Sequence, residues 1–328
     1  MSNSIKLALL GLDRITASIG LALKERKDIL TIGFDKNPEQ ARLVQARGFV
    51  QQAKWNLLEA VEGADLVLMG GLLAEQPDWL EALGGSLRED AVVATLGPLL
   101  APPLTWAAKT LPAGRHFVAA HPILNPAQLF DGTTGLESAS KDLFARGLWA
   151  LAAPHASAPE AVKLLGDVAH LLGAQAFYMD AAEHDGLMAA VNGVPVLLAT
   201  SLLRAANHSA GWHEARKVAD RSFATATFAV EHAEAATLIL NRENVVRYLD
   251  AALAELNTLR EAVSKGDRLT LGQLLVEAET QRAQWLAARQ KGEWEKEGQN
   301  PLEVPTFGEA LGRMLTGGLF QRKREGGK

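Results

Sequence analysis

The chain has 328 residues, 48% of them hydrophobic and 22% charged, with a formal net charge of −5 and no cysteine. That length predicts two domains with ample core, and the acidic balance gives no electrostatic basis for binding nucleic acid or an anionic membrane. Without cysteine there are no disulfides, thiol nucleophiles or thiolate metal sites, which fits a reducing cytoplasm.

The opening stretch organises the rest. An apolar run over residues 5–10 ends at Gly11, a helix is expected over about 15–25, and a second apolar run over 29–34 ends on Asp35. Strand, glycine turn, helix, strand and acid is the order of a dinucleotide-binding βαβ unit. The first run lacks polar alternation, as a parallel strand covered on both faces should. Lys6 lies inside that run, so the opening does not read as a charged-then-apolar leader.

The glycine fingerprint itself is altered. Its three positions read Gly11, Asp13 and Thr16. The second glycine normally lets the main chain approach a pyrophosphate, so Asp13 adds bulk and negative charge where an anion should sit. Asp35, 24 residues after Gly11, stands where an acid accepts the ribose hydroxyls and disfavours a 2′-phosphate. The candidate contacts for NAD are therefore Gly11, Asp35 and main chain near Arg14 and Ile15. The broken turn leaves occupancy open.

Further along, Asn37-Pro38-Glu39 predicts a helix with Asn37 as N-cap and Pro38 in its first position, closed by Gly48. Strands are expected at 64–69, 91–95 and 116–120, alternating with helices at 77–83 and 104–110. Gly70-Gly71, Gly97-Pro98 and His121-Pro122 stand at the strand ends. Ligands of open α/β sheets bind beside the carboxyl ends of strands, so Gly11, Met69, Gly97 and His121 should share one crevice. Late strands are read at 149–152 and 176–179 around a helix at 159–172.

After Asp180 strand signals give way to Ala-, Leu- and Glu-rich helical periodicity running to about Arg289. The fold class read from this order is α/β: a Rossmann-like doubly wound parallel sheet over residues 1–180, then an all-α domain over 181–290 and an arm over 291–328. The helical faces are more extensive than one small bundle can cover, which predicts a homodimer through that domain. The stretch 186–203 is apolar enough to suggest a membrane span. Asn192 and Pro195 interrupt it, and a helix buried at a domain or subunit contact is the preferred reading. In the arm, an amphipathic segment at 307–315 and a basic end, Arg322-Lys323-Arg324, stand out. His208, His213 and His232 lie near Glu214, Glu231 and Glu234, but no His-x-x-x-His pair occurs, so no metal is expected. Arg282 and Arg289 beside Trp285 read as a solvated helix face.

Taken together these residues resemble the prephenate/arogenate dehydrogenase family of tyrosine biosynthesis, in motif order from about Ile5 to Arg289. Ile19-Gly20-Leu21-Ala22 continues the glycine turn as that family's helix does, and Gly33-Phe34-Asp35-Lys36-Asn37-Pro38-Glu39 is close to its second strand and turn. Phe117-Val118-Ala119-Ala120-His121-Pro122 matches the stretch carrying its catalytic histidine, with residues 135–147 like the segment that follows. Glu183-His184-Asp185 and Asn241-Arg242-Glu243 match its helical domain. The resemblance implies NAD-dependent oxidative decarboxylation of prephenate, arogenate or a related cyclohexadienol, with His121 taking the 4-hydroxyl proton as hydride leaves.

Departures from the family cluster in the site. Its Asp-Val-Gly-Ser turn is Thr95-Leu96-Gly97-Pro98, and Ile123 to Gln128 intervene after the histidine. Two helical-domain histidines become Gly193 and Val196, and the carboxylate-clamping arginine expected near Thr225 is absent, with Arg221 close by. The alternative these departures raise is a non-catalytic dimeric relative with a degenerate site.

Overall fold

A computed structural model describes residues 4–129, 135–154, 157–231 and 233–292. The arm beyond residue 292, with its amphipathic and basic segments, and His232 lie outside the described residues. The chain divides into two compact units. The first runs to Ala181 and takes up the chain again from Gln284, and the second is Ala182–Ala283.

In the first unit, β1 (Ile5–Leu10), α1 (Arg14–Leu23), β2 (Ile29–Phe34), α2 (Pro38–Ala46), β3 (Gln52–Lys54), α3 (Leu57–Val61) and β4 (Leu66–Met69) alternate in chain order. They are followed by α4 (Gln76–Leu83), β5 (Val92–Leu96), α5 (Ala101–Thr110), β6 (His116–Ile123), β7 (Leu148–Ala152), α6 (Pro159–Leu171) and β8 (Gln175–Tyr178). The eight strands form one sheet in the order β3-β2-β1-β4-β5-β6-β7-β8. Pairings are parallel except between β6 and β7. The order reverses between β1 and β4, which places the ligand crevice of a doubly wound sheet above those two strands.

Because successive side chains of a strand point to opposite faces, β1 feeds two cores. Leu7 and Leu9 pack with Ile19 and Leu23 of α1, Ala41 and Val44 of α2 and Leu165 of α6. Ala8 and Leu10 pack on the other side with Val61 of α3, Leu80 and Leu83 of α4 and Ala107 of α5. All residues of β4 and β5 are buried, which explains their unbroken apolar runs. Asn37 caps α2 as expected, its side-chain oxygen accepting the Glu39 N–H at 3.0 Å.

The second unit is helical throughout its described elements. α7 (Ala181–Met188) passes through a π-helical turn (Ala189–Gly193) into α8 (Val194–Asn207). Then come α9 (Trp212–Val218), α10 (Arg221–Thr227), α11 (Ala235–Leu240), α12 (Arg242–Lys265) and α13 (Arg268–Lys291). The continuous helix Ala181–Asn207 is long and apolar enough to cross a membrane by length and composition, and 28% of its most apolar stretch is buried within this chain. Its buried contacts lie in part at Gly193, where an added Cβ would come within 3.1 Å of Val245 Cγ2 and 3.4 Å of Leu238 Cδ2. His184 Nδ1 lies 2.9 Å from Asp185 Oδ1, Asn241 donates to the Asp185 carbonyl at 2.6 Å, and all three residues are buried.

Candidate functional site

Gly11 closes β1 with φ +71°, a left-handed conformation that only glycine adopts without strain. A Cβ there would also stand 2.9 Å from the Gly71 nitrogen, so the turn after β1 and the turn after β4 touch main chain to main chain. The contact follows from sheet pairing carried one residue further, with Gly70 N–H donating to the Leu10 carbonyl at 2.8 Å.

Asp13, in the second glycine's position, is the N-cap of α1. Its Oδ1 accepts the Thr16 N–H at 2.8 Å, and Thr16 Oγ1 accepts the Asp13 N–H at 3.0 Å. This reciprocal capping box is worth about 0.5–2 kcal/mol to the helix. Thr16 also donates its hydroxyl to the Gly11 carbonyl at 2.8 Å. The second Asp13 oxygen reaches across to the other turn and accepts the Gly71 N–H at 3.0 Å. The negative charge expected from the sequence is thus seated at the amino end of α1, where the helix dipole and first-turn N–H groups would favour a phosphate.

Asp35 is half-buried at the end of β2, and its carboxylate accepts the Leu12 N–H at 2.9 Å and the Asn37 N–H at 2.8 Å. A carboxylate offers about four acceptor positions, so Asp35 retains capacity for ribose hydroxyls. The ribose end of the crevice fits a dinucleotide, whereas the diphosphate end fits one only with Asp13 turned away. Ile15 lies in the first turn of α1, where main-chain N–H groups have no intrahelical acceptor. The Arg14 side chain, in contrast, is buried and points toward the loop after β6, donating to Gln128 Oε1 at 2.7 Å and the Ser138 carbonyl at 3.3 Å. Ser18 extends that seam by accepting the Ser140 N–H at 3.0 Å.

At the other end of the crevice the structure corrects the strand boundary. β6 was expected to stop at residue 120, leaving His121 just beyond it; instead the strand continues to Ile123. Its pairing with β5 ends at Leu96 and Ala120, and from His121 onward it pairs only with antiparallel β7, His121 opposite Ala150 and Pro122 opposite Trp149. Pro122 has no N–H to give, which costs nothing on a side with no strand beside it. Gly97 N–H donates to the Ala120 carbonyl at 3.1 Å, setting Gly97 directly beside the half-buried His121. Under this floor, buried Thr95 donates to Gln76 Oε1 at 2.5 Å, and Gln76 donates to the Met69 carbonyl at 3.4 Å.

Sequence reasoning missed three participants. Gly71 was read only as a strand break, although its N–H is the partner of Asp13. The Arg14 seam had no local signal. Arg289 was read as part of a solvated face, but it is 5% exposed and donates to the Leu124 carbonyl at 2.7 Å, three residues past His121. Burial pushes its guanidinium below its ordinary pKa. The residues of α13 from Gln284 onward belong to the first unit, so helix periodicity alone could not reveal the cover of Arg289.

In the second unit, Thr225 and Arg221 are both exposed and lie one turn apart on α10, hence on one face. Gly193 cannot carry the family's imidazole where it stands, because its Cβ direction is filled by Val245 and Leu238.

Residues 19–178 match the family model described as "Prephenate dehydrogenase, nucleotide-binding domain", and residues 180–277 match "Prephenate dehydrogenase, dimerization domain". The first match starts after the glycine turn, so the turn is judged on its own geometry. A prephenate dehydrogenase of Bacillus subtilis (strain 168) is 25% identical over 300 residues, covering 89% of this chain and 78% of that protein. Among solved structures, A. aeolicus prephenate dehydrogenase in complex with hydroxyphenyl propionate and NAD+ superposes with TM-score 0.75 at 20% identity, covering 85% of this chain and 98% of that one. Synechocystis arogenate dehydrogenase gives TM-score 0.67 at 19% identity, with 86% and 100% covered. The dinucleotide and dimer read from the sequence agree with these domain descriptions, and with both models matched across most of its length the chain belongs to the prephenate dehydrogenase family.

Proposed function

We propose that this protein is an NAD-dependent dehydrogenase that oxidatively decarboxylates prephenate, arogenate or a related cyclohexadienol in tyrosine biosynthesis, as a cytoplasmic homodimer. The observation carrying the reading is His121 beside Gly97 on the overhang of β6, on the carboxyl edge that also bears Gly11 and Asp35. When bound, NAD supplies the acceptor for the hydride that leaves C4 of the ring. His121 takes the 4-hydroxyl proton on a ring nitrogen as that hydride leaves. It returns the proton to the same oxygen once the ring carboxylate has gone as carbon dioxide and the ring is aromatic. Asp35 receives the ribose hydroxyls, and the Gly97 main chain contacts the dinucleotide.

The homodimer forms through the second unit, a reading supported by the match of residues 180–277 to a dimerization domain and by apolar side chains left exposed there, Val191, Val218 and Leu269 at 70%, 82% and 74%. The test is NADH formation with prephenate and arogenate at millimolar concentration. No NADH from either substrate overturns the proposal, and a monomer by light scattering overturns the dimer.

A further inference from the structure

We infer that Asp13 is a latch: its carboxylate occupies the diphosphate seat and clasps the β1 turn to the β4 turn, so that a dinucleotide binds only by displacing it. The inference rests on the dinucleotide reading of the same crevice. Asp13 Oδ1 and Oδ2 take the Thr16 and Gly71 N–H groups at 2.8 and 3.0 Å, donors on the two turns that flank the diphosphate position. A free diphosphate therefore meets two occupied donors and a like charge.

The surrounding residues are fitted to this arrangement. Thr16 stands where the fingerprint has its third glycine, and its methyl fills the space over Gly70, where a Cβ would come within 2.7 Å of Thr16 Cγ2 and 3.2 Å of Asp13 Oδ2. Gly71 in turn has φ +67° and presents its N–H to the carboxylate. Thr16 thus packs on Gly70 and Asp13 bonds Gly71, so the two side chains of the β1 turn each meet a glycine of the β4 turn. Asp13 is only half-buried, so its side chain can swing toward solvent without unpacking either core. The latch lowers affinity for the dinucleotide; it does not destroy the site.

The decisive experiment is calorimetric titration of NAD into the full chain, wild type against Asp13→Gly and Asp13→Asn, with melting temperatures recorded in parallel. Asp13→Gly should lower the NAD Kd at least tenfold, and Asp13→Asn, which removes the charge while keeping an oxygen for the Thr16 N–H, at least threefold. Adenosine, which carries no phosphate, should bind all three alike. If the wild type binds NAD as tightly as both variants, the latch is overturned while the cofactor reading stands. If no folded variant binds NAD at several millimolar, both fall together. Should Asp13→Gly fail to fold, Asp13→Asn decides, and a Kd equal to wild type overturns the latch.

Discussion

The two ends of the crevice rise from one carboxyl edge of one sheet, yet they are finished in opposite ways. Over β1 and β4, side chains fill the space that glycines normally leave: Asp13 and Thr16 close the turn with hydrogen bonds to Gly11 and Gly71. Over β5 and β6 the chain turns at Gly97 and β6 overhangs its neighbour, leaving His121 half-buried and paired with β7. The contrast teaches that a strand order preserves the place of a site, whereas its openness is decided by two or three side chains.

The largest effect that separates the two ends is His121→Asn. Loss of a general base costs about 10²–10⁴ in rate, so kcat should fall by that factor while the NAD Kd stays within twofold, because the turns over β1 and β4 are closed by Asp13, Thr16 and Gly71. Equal turnover would remove its role and make the open end a feature of packing alone. A joint loss of NAD binding would show that the two ends are not separable.

Packing at the closed end gives the next largest effect. Gly70→Ala puts a methyl 2.7 Å from Thr16 Cγ2, and overpacking of this kind costs about 1–3 kcal/mol. Thr16→Ser deletes that methyl and keeps the hydroxyl that bonds the Gly11 carbonyl. Urea denaturation of the double variant should recover more than half of the loss, a coupling measurable by a double-mutant cycle. Additive losses would mean that Thr16 and Gly70 are not a matched pair.

The sequence shows the strands of the first unit because each is an apolar run bounded by glycine, proline or an acid. The exception is β3, Gln52–Lys54, whose three residues are polar or small and which is a strand only because the edge of β2 pairs with it. That His121 stands near the carboxyl end of β6 was legible. That it lies inside β6 was not, because Pro122 reads as a strand terminator unless the antiparallel β7 is known to lie opposite. Asp13 was visible as a charge in the wrong place, but its partner Gly71 is 58 residues away. Arg289 reaches Leu124 across 165 residues. Local patterns report what a residue prefers to do with its neighbours in sequence, and these contacts are made with neighbours in space.

The smallest effect, and the control for the others, lies at the opposite edge of the same sheet. Asp28 precedes β2 at its amino end and is held by Arg26 in a two-point ion pair, Nε to Oδ1 at 3.1 Å and Nη2 to Oδ2 at 2.9 Å. The Arg26 guanidinium lowers the Asp28 carboxyl below its ordinary 3.8, against a weaker opposing effect of burial. A carboxyl lowered in the folded state stabilises it above the unfolded value, and this contribution is lost as pH falls through 3.8 toward the lowered pKa. Pairs near the surface contribute about 0.2–1 kcal/mol, so Asp28→Asn should cost no more than that at pH 7, by urea denaturation, and the wild-type advantage should shrink as pH falls below 3.8. NAD affinity should not move at all, since Asp28 lies at the end of the strands remote from the crevice. An Asp28→Asn change that altered NAD binding as much as Asp13→Asn would mean that net charge, rather than the seat of one carboxylate, governs the closed end.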